Sequence, residues 1–311
     1  MPLSPELQAL AAKVSNAGRW GPDDQRGTLN FITPEAVLRG VHAVRTGRTF
    51  SLAIPFDQTG PQWDNVHMPH RVNAELHTHT VNVAFTRDPR DFTTSDDTFR
   101  MGSQAATHWD ALSHAGYEGR LYNNTPDTVI TEESGAARLG IEHFGAVATR
   151  GVLLDIAALY GVDAFDDNRA ITGDDLERAR VVAAVELLPG DALLVRTGQM
   201  KYLRAGEKER YSHPSPGLST QSIEWLHDHD VAAVATDNMT FEVYPCEDPA
   251  IFMPVHMIHL RDMGLVQGQN FDLDDLAADC ARDSQYDFLL VASPLPLTGA
   301  VGAPVAPTAI K

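Results

Sequence analysis

The second half of the chain alternates short apolar runs with helix signals, and that alternation restricts the fold more than any other feature. Residues 151–156, 192–196, 231–235 and 287–292 are apolar runs of strand length. Thr172 precedes a helical stretch at 174–180, Ser219 one that runs to about 227, and Asp272 one at 273–280. Pro254 opens a further helix over 254–263, closed by Gly264. Pro189-Gly190-Asp191 turns the chain into the run at 192. Strands separated by helices ask for a sheet whose faces helices cover.

The first half reads differently. One helix is well marked: Thr33 as N-cap, Pro34 in the first turn, Glu35 on the positive end of the dipole, and Gly47 at the close. Ala36, Val37, Leu38, Val41 and Val44 are its expected apolar face. A strand is expected at 49–54. Residues 76–85 then place His77, His79, Val81 and Val83 on one side and Thr78, Thr80, Asn82 and Ala84 on the other, the period of a strand. Extended segments in the first half and helix–strand alternation in the second favour a mixed α/β or α+β layered architecture over a regular parallel sheet. No repeat and no linker divides the 311 residues, so a single domain over 1–311 is expected.

Composition excludes several functions. With 24 Lys and Arg against 42 Asp and Glu, the chain carries a net charge of −18 and would be repelled by a phosphate backbone. Its cysteines, Cys246 and Cys280, fit no metal or redox spacing and no disulfide framework, which suits a reducing compartment. The opening residues lack a signal-peptide pattern, and no apolar run approaches the roughly 18 residues of a membrane span. The expectation is a soluble cytoplasmic protein that binds neither nucleic acid nor membrane. Thirteen histidines are the compositional hint of metal or acid–base chemistry.

Residues 104–114 read Gln-Ala-Ala-Thr-His-Trp-Asp-Ala-Leu-Ser-His. In an extended chain Gln104, His108, Asp110 and His114 share a face, and an amide, two imidazoles and a carboxylate together suit Zn²⁺ or Mn²⁺. One imidazole is free to act as a base. Spacing alone also fits a solvated loop, or a helix with 104/108 and 110/114 as i,i+4 pairs. Trp109 has the opposite parity and belongs to the core or the pocket wall.

The segment resembles the signature of the metal-dependent cyclase-type hydrolases, the family of bacterial kynurenine formamidase and isatin hydrolase, which runs His-x-Gly-Thr-His-x-Asp-x-Pro-x-His. Thr107, His108, Asp110 and His114 match it; Gln104, Ala106 and Leu112 stand where His, Gly and Pro are expected. The likeness continues through residues 20–30, 190–198, 236–238 and 293–299. It implies a partly barrel-like mixed β core flanked by helices, with an N-terminal helical extension. It implies that His108 and Asp110 bind one divalent ion, Mn²⁺ or Zn²⁺, that Gln104 adds a carbonyl oxygen favouring Mn²⁺, and that His114 is the general base. In the family frame a later helical His is followed by Glu in two-zinc members. Here His256 matches and Gln269 replaces the Glu, so one ion is expected, with His256 and Gln269 on the substrate and His259 structural.

The implied reaction is hydrolysis of an amide-like C–N bond or a lactone in a small cyclic or aromatic molecule, by a homodimer or homotetramer. A degenerate member that only binds its ligand, or a metal-dependent cyclase or dehydratase, fits the same residues. Trp63, in a loop with His67 and His70, is placed to stack on a planar substrate, and His79 or His77 to line the pocket. His77-Thr78-His79 also matches the His-x-His of amidohydrolases, against which stands the lack of eight βα units. Tyr122-Asn123-Asn124 reads as a turn, and His227 and His229 as a solvated helix end. The Gly/Pro-rich stretch 299–307 resembles an anion-cradling loop but lacks its Lys-Ser/Thr.

Overall fold

The computed structural model describes residues 3–63 and 70–311. Eleven strands organise it: β1 Thr49–Ser51, β2 Glu75–Ala84, β3 Thr93–Arg100, β4 His108–Asp110, β5 Ala148–Asp155, β6 Ala192–Arg196, β7 Ala233–Thr236, β8 Val266–Gln269, β9 Asp287–Val291, β10 Gly302–Pro304 and β11 Thr308–Ile310. Nine of them form one curled half-barrel sheet in the order β1-β11-β9-β5-β6-β7-β8-β4-β10. The centre, β5-β6-β7-β8, is parallel; β9, β11 and β1 continue it antiparallel on one side and β4 and β10 on the other. This is the mixed α/β single domain expected.

The parallel strands are buried on both faces, which is why they read as continuous apolar runs. Leu153, Ala192, Leu194, Ala233 and Ala235 face one core, with Trp109, Phe271 and Phe288. Val152, Leu154, Leu193, Val195 and Val234 face the other, beneath helical residues such as Leu176, Ile223 and Ile258. The N-terminal helix α1, Pro5–Lys13, sends Ala11 into this second core, beside Leu3 and Val14 that flank it.

Helix α2, Pro34–Ala43, begins as expected, with the Thr33 hydroxyl accepting from Ala36 N at 3.3 Å. It ends at Ala43, before Gly47, and its buried face is Ala36, Gly40 and Ala43, while Leu38 and Val41 are about half exposed. The cause is a close approach: a Cβ on Gly40 would stand 2.8 Å from the Thr149 carbonyl carbon of β5. Small residues let the helix lie against the sheet, and no room is left for Leu or Val. Helix α3, Gly173–Val182, opens with the full Thr172/Asp175 capping box. Helix α4 spans Ile223–Asp228. Helix α5 runs Asp274–Asp283; Leu273 stands at its N-cap position, and the Asp272 carboxylate, paired with Arg204 at 2.6 Å, accepts from Asp274 N only at 3.5 Å.

The strand expected at 76–85 exists, but as β2 of a separate hairpin with β3, exposed over both faces. Register shifts at Thr78/Thr80 and Thr80/Val83, with Asn82 at φ 51°, break the strict alternation. No helix among the described residues is long and apolar enough to cross a membrane.

Candidate active site

The site grows from β4, a three-residue strand between β8 and β10. His108 pairs with Gln269 and Pro304, and Asp110 with Gly302. The alternation of the strand turns Trp109 into the core, where Nε1 donates to Ala292 O at 2.8 Å and the indole packs edge-on to Phe271 at 5.0 Å. His108 and Asp110 therefore face the other way, into a cavity of about 700 Å³ whose lining includes both of them, His114, His256, Gln269 and Trp63. Thr107 anchors the approach: its hydroxyl donates to Asn270 O at 2.6 Å and accepts from Ile54 N at 3.0 Å. The stretch 299–307 is not an anion loop; Gly302–Pro304 is the edge strand behind the motif, and a Cβ on Gly302 would press on Gln104 Nε2 at 2.7 Å.

Asp110 is the centre. Its Oδ2 accepts from Gln269 Nε2 at 2.8 Å and Gln267 Nε2 at 3.1 Å. Its Oδ1 is buried without a hydrogen-bond partner, facing His108 Nε2 at 3.4 Å and His114 Nε2 at 3.7 Å. Burial works against the carboxylate charge, but in the acid range where a carboxylate titrates, positive charge on the surrounding imidazoles, His114 first, outweighs it and holds the group well below the usual range. His108 Nδ1 lies 2.7 Å from Ala106 O, a carbonyl that only accepts. Nδ1 therefore carries a proton, and in the neutral form of the ring the Nε2 lone pair points at another acceptor. Two acceptors facing each other in a buried site want a cation between them. Around a tetrahedral ion with bonds of about 2.1 Å, neighbouring donors stand about 3.4 Å apart, the separation found here. Among the described residues no group of three or more His, Cys, Asp or Glu side chains is arranged to hold a metal ion; His108 and Asp110 form a facing pair.

His114 is pushed down to about 4, first by burial, with Asp110 opposing and Arg71 and His256 adding to it. It is neutral near pH 7 and free to accept a proton. Gln104 has other neighbours than expected: its Oε1 accepts from Ser103 Oγ at 2.8 Å, and its Nε2 lies 3.3 Å from His114 Nδ1. In this orientation it steadies the imidazole.

His256 lines the cavity from the start of the helix at Pro254, where Met253 at φ 53° turns the chain in. Its Nδ1 is 2.5 Å from Glu242 Oε1, and the two Glu242 oxygens also accept from His256 N at 2.9 Å and Val255 N at 3.1 Å. Burial disfavours the imidazolium, but Glu242 outweighs it and raises His256 above its ordinary value. The helix then continues as a π-helix, Met257–Met263, a form that recurs at functional sites. His259 lies inside it, fully buried against Phe241 and outside the cavity lining, as a structural residue should.

Of the remaining candidates, Trp63 reaches the cavity, with Nε1 donating to Ser212 Oγ at 2.8 Å. Gln269 reaches it too, although its amide is committed to Asp110. His79 does not: it sits exposed on the β2–β3 hairpin, bonded to Thr98 Oγ1 at 2.7 Å, because that hairpin projects from the body instead of joining the sheet. His77 and His70 are also exposed, and His67 lies outside the described residues. Tyr122–Asn124, expected as a turn, forms a short 3₁₀ helix with Asn123 at φ 55°. Sequence reasoning missed Arg71, Glu242 and Gln267, which no local pattern marks and which distant segments deliver.

The profile of the Cyclase family matches residues 50–243, more than half of the chain. A solved structure described as a novel cyclase is 36% identical, with both chains covered completely and a TM-score of 0.88. The chain belongs to the cyclase family. Isatin hydrolase A from Ralstonia solanacearum is 16% identical, covering 84% of this chain and 91% of its own, at a TM-score of 0.62. An isatin hydrolase bound to the product analogue thioisatinate is 17% identical, covering 89% and 98%, at 0.61. A predicted metal-dependent hydrolase from Bacillus stearothermophilus is 16% identical, covering 84% and 97%, at 0.50. These three share the fold. No curated protein matches the sequence.

Proposed function

We propose that this cyclase-family member is a metal-dependent hydrolase that opens an amide-like C–N bond or a lactone in a small cyclic or aromatic molecule. The observation that carries the reading is the buried, unpartnered Oδ1 of Asp110 opposite the Nε2 lone pair of His108. His108 and Asp110 would hold one divalent ion, Mn²⁺ or Zn²⁺. Gln104 completes the set if its amide turns its oxygen from Ser103 toward the ion, and that harder donor favours Mn²⁺. A bound ion of this kind supplies a Lewis acid and lowers the pKa of water toward about 7.

The chain's own residues do the rest. Neutral His114 accepts the proton of the attacking water and returns one to the leaving nitrogen or oxygen. His256, whose charged form Glu242 favours, would donate to negative charge developing on the carbonyl oxygen. Trp63, Tyr244 and Phe252 offer an aromatic wall for a planar ring. The names of the isatin hydrolases and of the metal-dependent hydrolase support the reaction class.

Metal analysis of the purified protein, followed by a hydrolysis panel on wild type and His114→Ala, tests this. Stoichiometric Mn²⁺ or Zn²⁺ and a rate at least about a hundredfold lower in the variant are expected. Metal-free protein with equal rates in both sinks it. The amide of Gln269 on Asp110 and the turned Gln104 favour a second reading, a family member that binds a small ligand without hydrolysing it. That reading expects negligible metal affinity by calorimetry. Product analysis separates hydrolysis from cyclisation or dehydration. We also propose a homodimer or homotetramer, supported by the exposed Leu76, Val81, Phe85, Phe92 and Phe99 of the hairpin and its flanks. Light scattering after size exclusion should give two or four chains, and a monomer at micromolar concentration rejects it.

A further inference from the structure

The hydrolase reading leaves one cation in the cavity without a task. Arg71 lines the cavity with Trp63, Asp110 and His114, and it is the one Arg or Lys among the described lining residues. Its position is built by backbone. Gln62 N donates to Asn73 Oδ1 at 2.9 Å and Asn73 Nδ2 to Gln62 O at 2.8 Å, tying the two ends of its loop. Gly102 N, two residues ahead of Gln104, donates to Val72 O at 3.0 Å. A Cβ on Gly102 would stand 3.0 Å from Arg71 Cα, so the motif segment and the Arg71 segment are in close contact.

The guanidinium at the end of this scaffold forms no hydrogen bond or ion pair among the described residues. Burial works against its charge, with only the Asp110 carboxylate in its favour. Asp110 is not its partner, since one oxygen is taken by two glutamines and the other faces two imidazoles. Other largely buried arginines are treated differently. Arg150 is clamped on Asp191 at 2.5 and 3.1 Å, and Arg196 on Asp155 and Asp274 at 3.0 and 2.8 Å. A partly desolvated guanidinium without an anion is costly, and its planar fork matches a carboxylate with two parallel hydrogen bonds.

We propose that Arg71 is the anion-binding group of this cavity, and that it receives the carboxylate of a small planar acid whose ring lies against Trp63, Tyr244 and Phe252. The inference rests on this cavity being the substrate site of the proposed enzyme, but not on hydrolysis taking place there. A single arginine beside an apolar wall suits one carboxylate, which its planar fork can hold with two hydrogen bonds.

Calorimetric titration of the full-length, metal-loaded protein with sodium benzoate and with its neutral isostere benzamide tests the assignment, in wild type, Arg71→Gln and Arg71→Lys. Wild type should bind benzoate at millimolar concentration or below and at least about tenfold more tightly than benzamide. Arg71→Gln should abolish that preference while benzamide binding stays unchanged, and Arg71→Lys should keep part of it. The titrations are repeated with a chelator to separate arginine from metal. A preference that survives in Arg71→Gln, or that disappears from wild type on chelation, overturns the assignment, as does absence of benzoate binding at millimolar concentration. If the carboxylate preference follows Arg71 while no bond is hydrolysed in any assay, it is the hydrolase reading that fails.

Discussion

At the scale of single residues, the arrangement around Asp110 is asymmetric. Two glutamine amides fix one carboxylate oxygen, and the other is left bare among imidazoles. Support of this kind sets metal affinity, and its loss typically costs about 10–100-fold. Gln269→Leu is therefore expected to weaken Mn²⁺ or Zn²⁺ binding by that factor in a competitive chelator titration, with unchanged affinity counting against the site. Gln104→His should act in the opposite sense, tightening Zn²⁺ more than Mn²⁺ by exchanging an amide for an imidazole nitrogen. His108 and Asp110 share a face as strand parity expects, because β4 is a strand; His114 lies in the turn beyond it, and the family resemblance, not parity, singled it out. Glu242, Gln267 and Arg71 were not legible in the sequence. Glu242 reaches His256 across a 14-residue excursion, and Gln267 meets Asp110 only through strand pairing over 157 residues. No period or spacing encodes such meetings.

At the scale of elements, the sheet was easier to foresee than the faces packed on it. Apolar runs at β5, β6 and β7 announce buried strands, since burial on both faces leaves no alternation to misread. The face of α2 was misplaced because apolar periodicity marks Leu38 and Val41, while the contact is made by residues small enough to let backbones meet. That has a consequence opposite to helix propensity. In an exposed helix interior Gly→Ala stabilises by about 1 kcal/mol. At Gly40 the new Cβ would lie 2.8 Å from the Thr149 carbonyl carbon and 2.9 Å from Arg150 N, backbone atoms of a central strand that cannot move aside cheaply. Overpacking costs about 1–3 kcal/mol. Gly40→Ala is thus expected to lower stability by about 1–2 kcal/mol in urea unfolding, and a stabilised variant would show that α2 is not packed this closely. The hairpin of β2 and β3 marks the limit of pattern reading: its alternation was visible, but not that it would leave the sheet and carry His79 away from the cavity.

At the scale of the whole molecule, buried titratable groups set opposing pH responses. His114 and His259 are pushed down by burial to about 4 and about 3, so in this range the unfolded chain binds their protons more readily. Stability from this pair falls as pH drops from about 6.5 toward 4. Burial raises Asp237 and Asp262, each to about 6, so over the same range the folded chain takes up their protons first and stability rises as pH drops. Two groups of each sign make a shallow profile between pH 6.5 and 4, with a steep loss below it as Asp110 and the salt-bridged Glu177, held at about 2, are protonated. Removing one histidine should unbalance the set. His259→Leu is of similar size in a fully buried site where the ring packs edge-on to Phe241. Relative to its own value at pH 7, the variant should gain on the order of 1–3 kcal/mol over wild type at pH 4.5. Calorimetric melting in the presence of a chelator, so that metal loss does not add its own acid dependence, reads the difference directly. Parallel curves for the two proteins from pH 7 to 4.5 would mean that His259 is not held neutral by the fold.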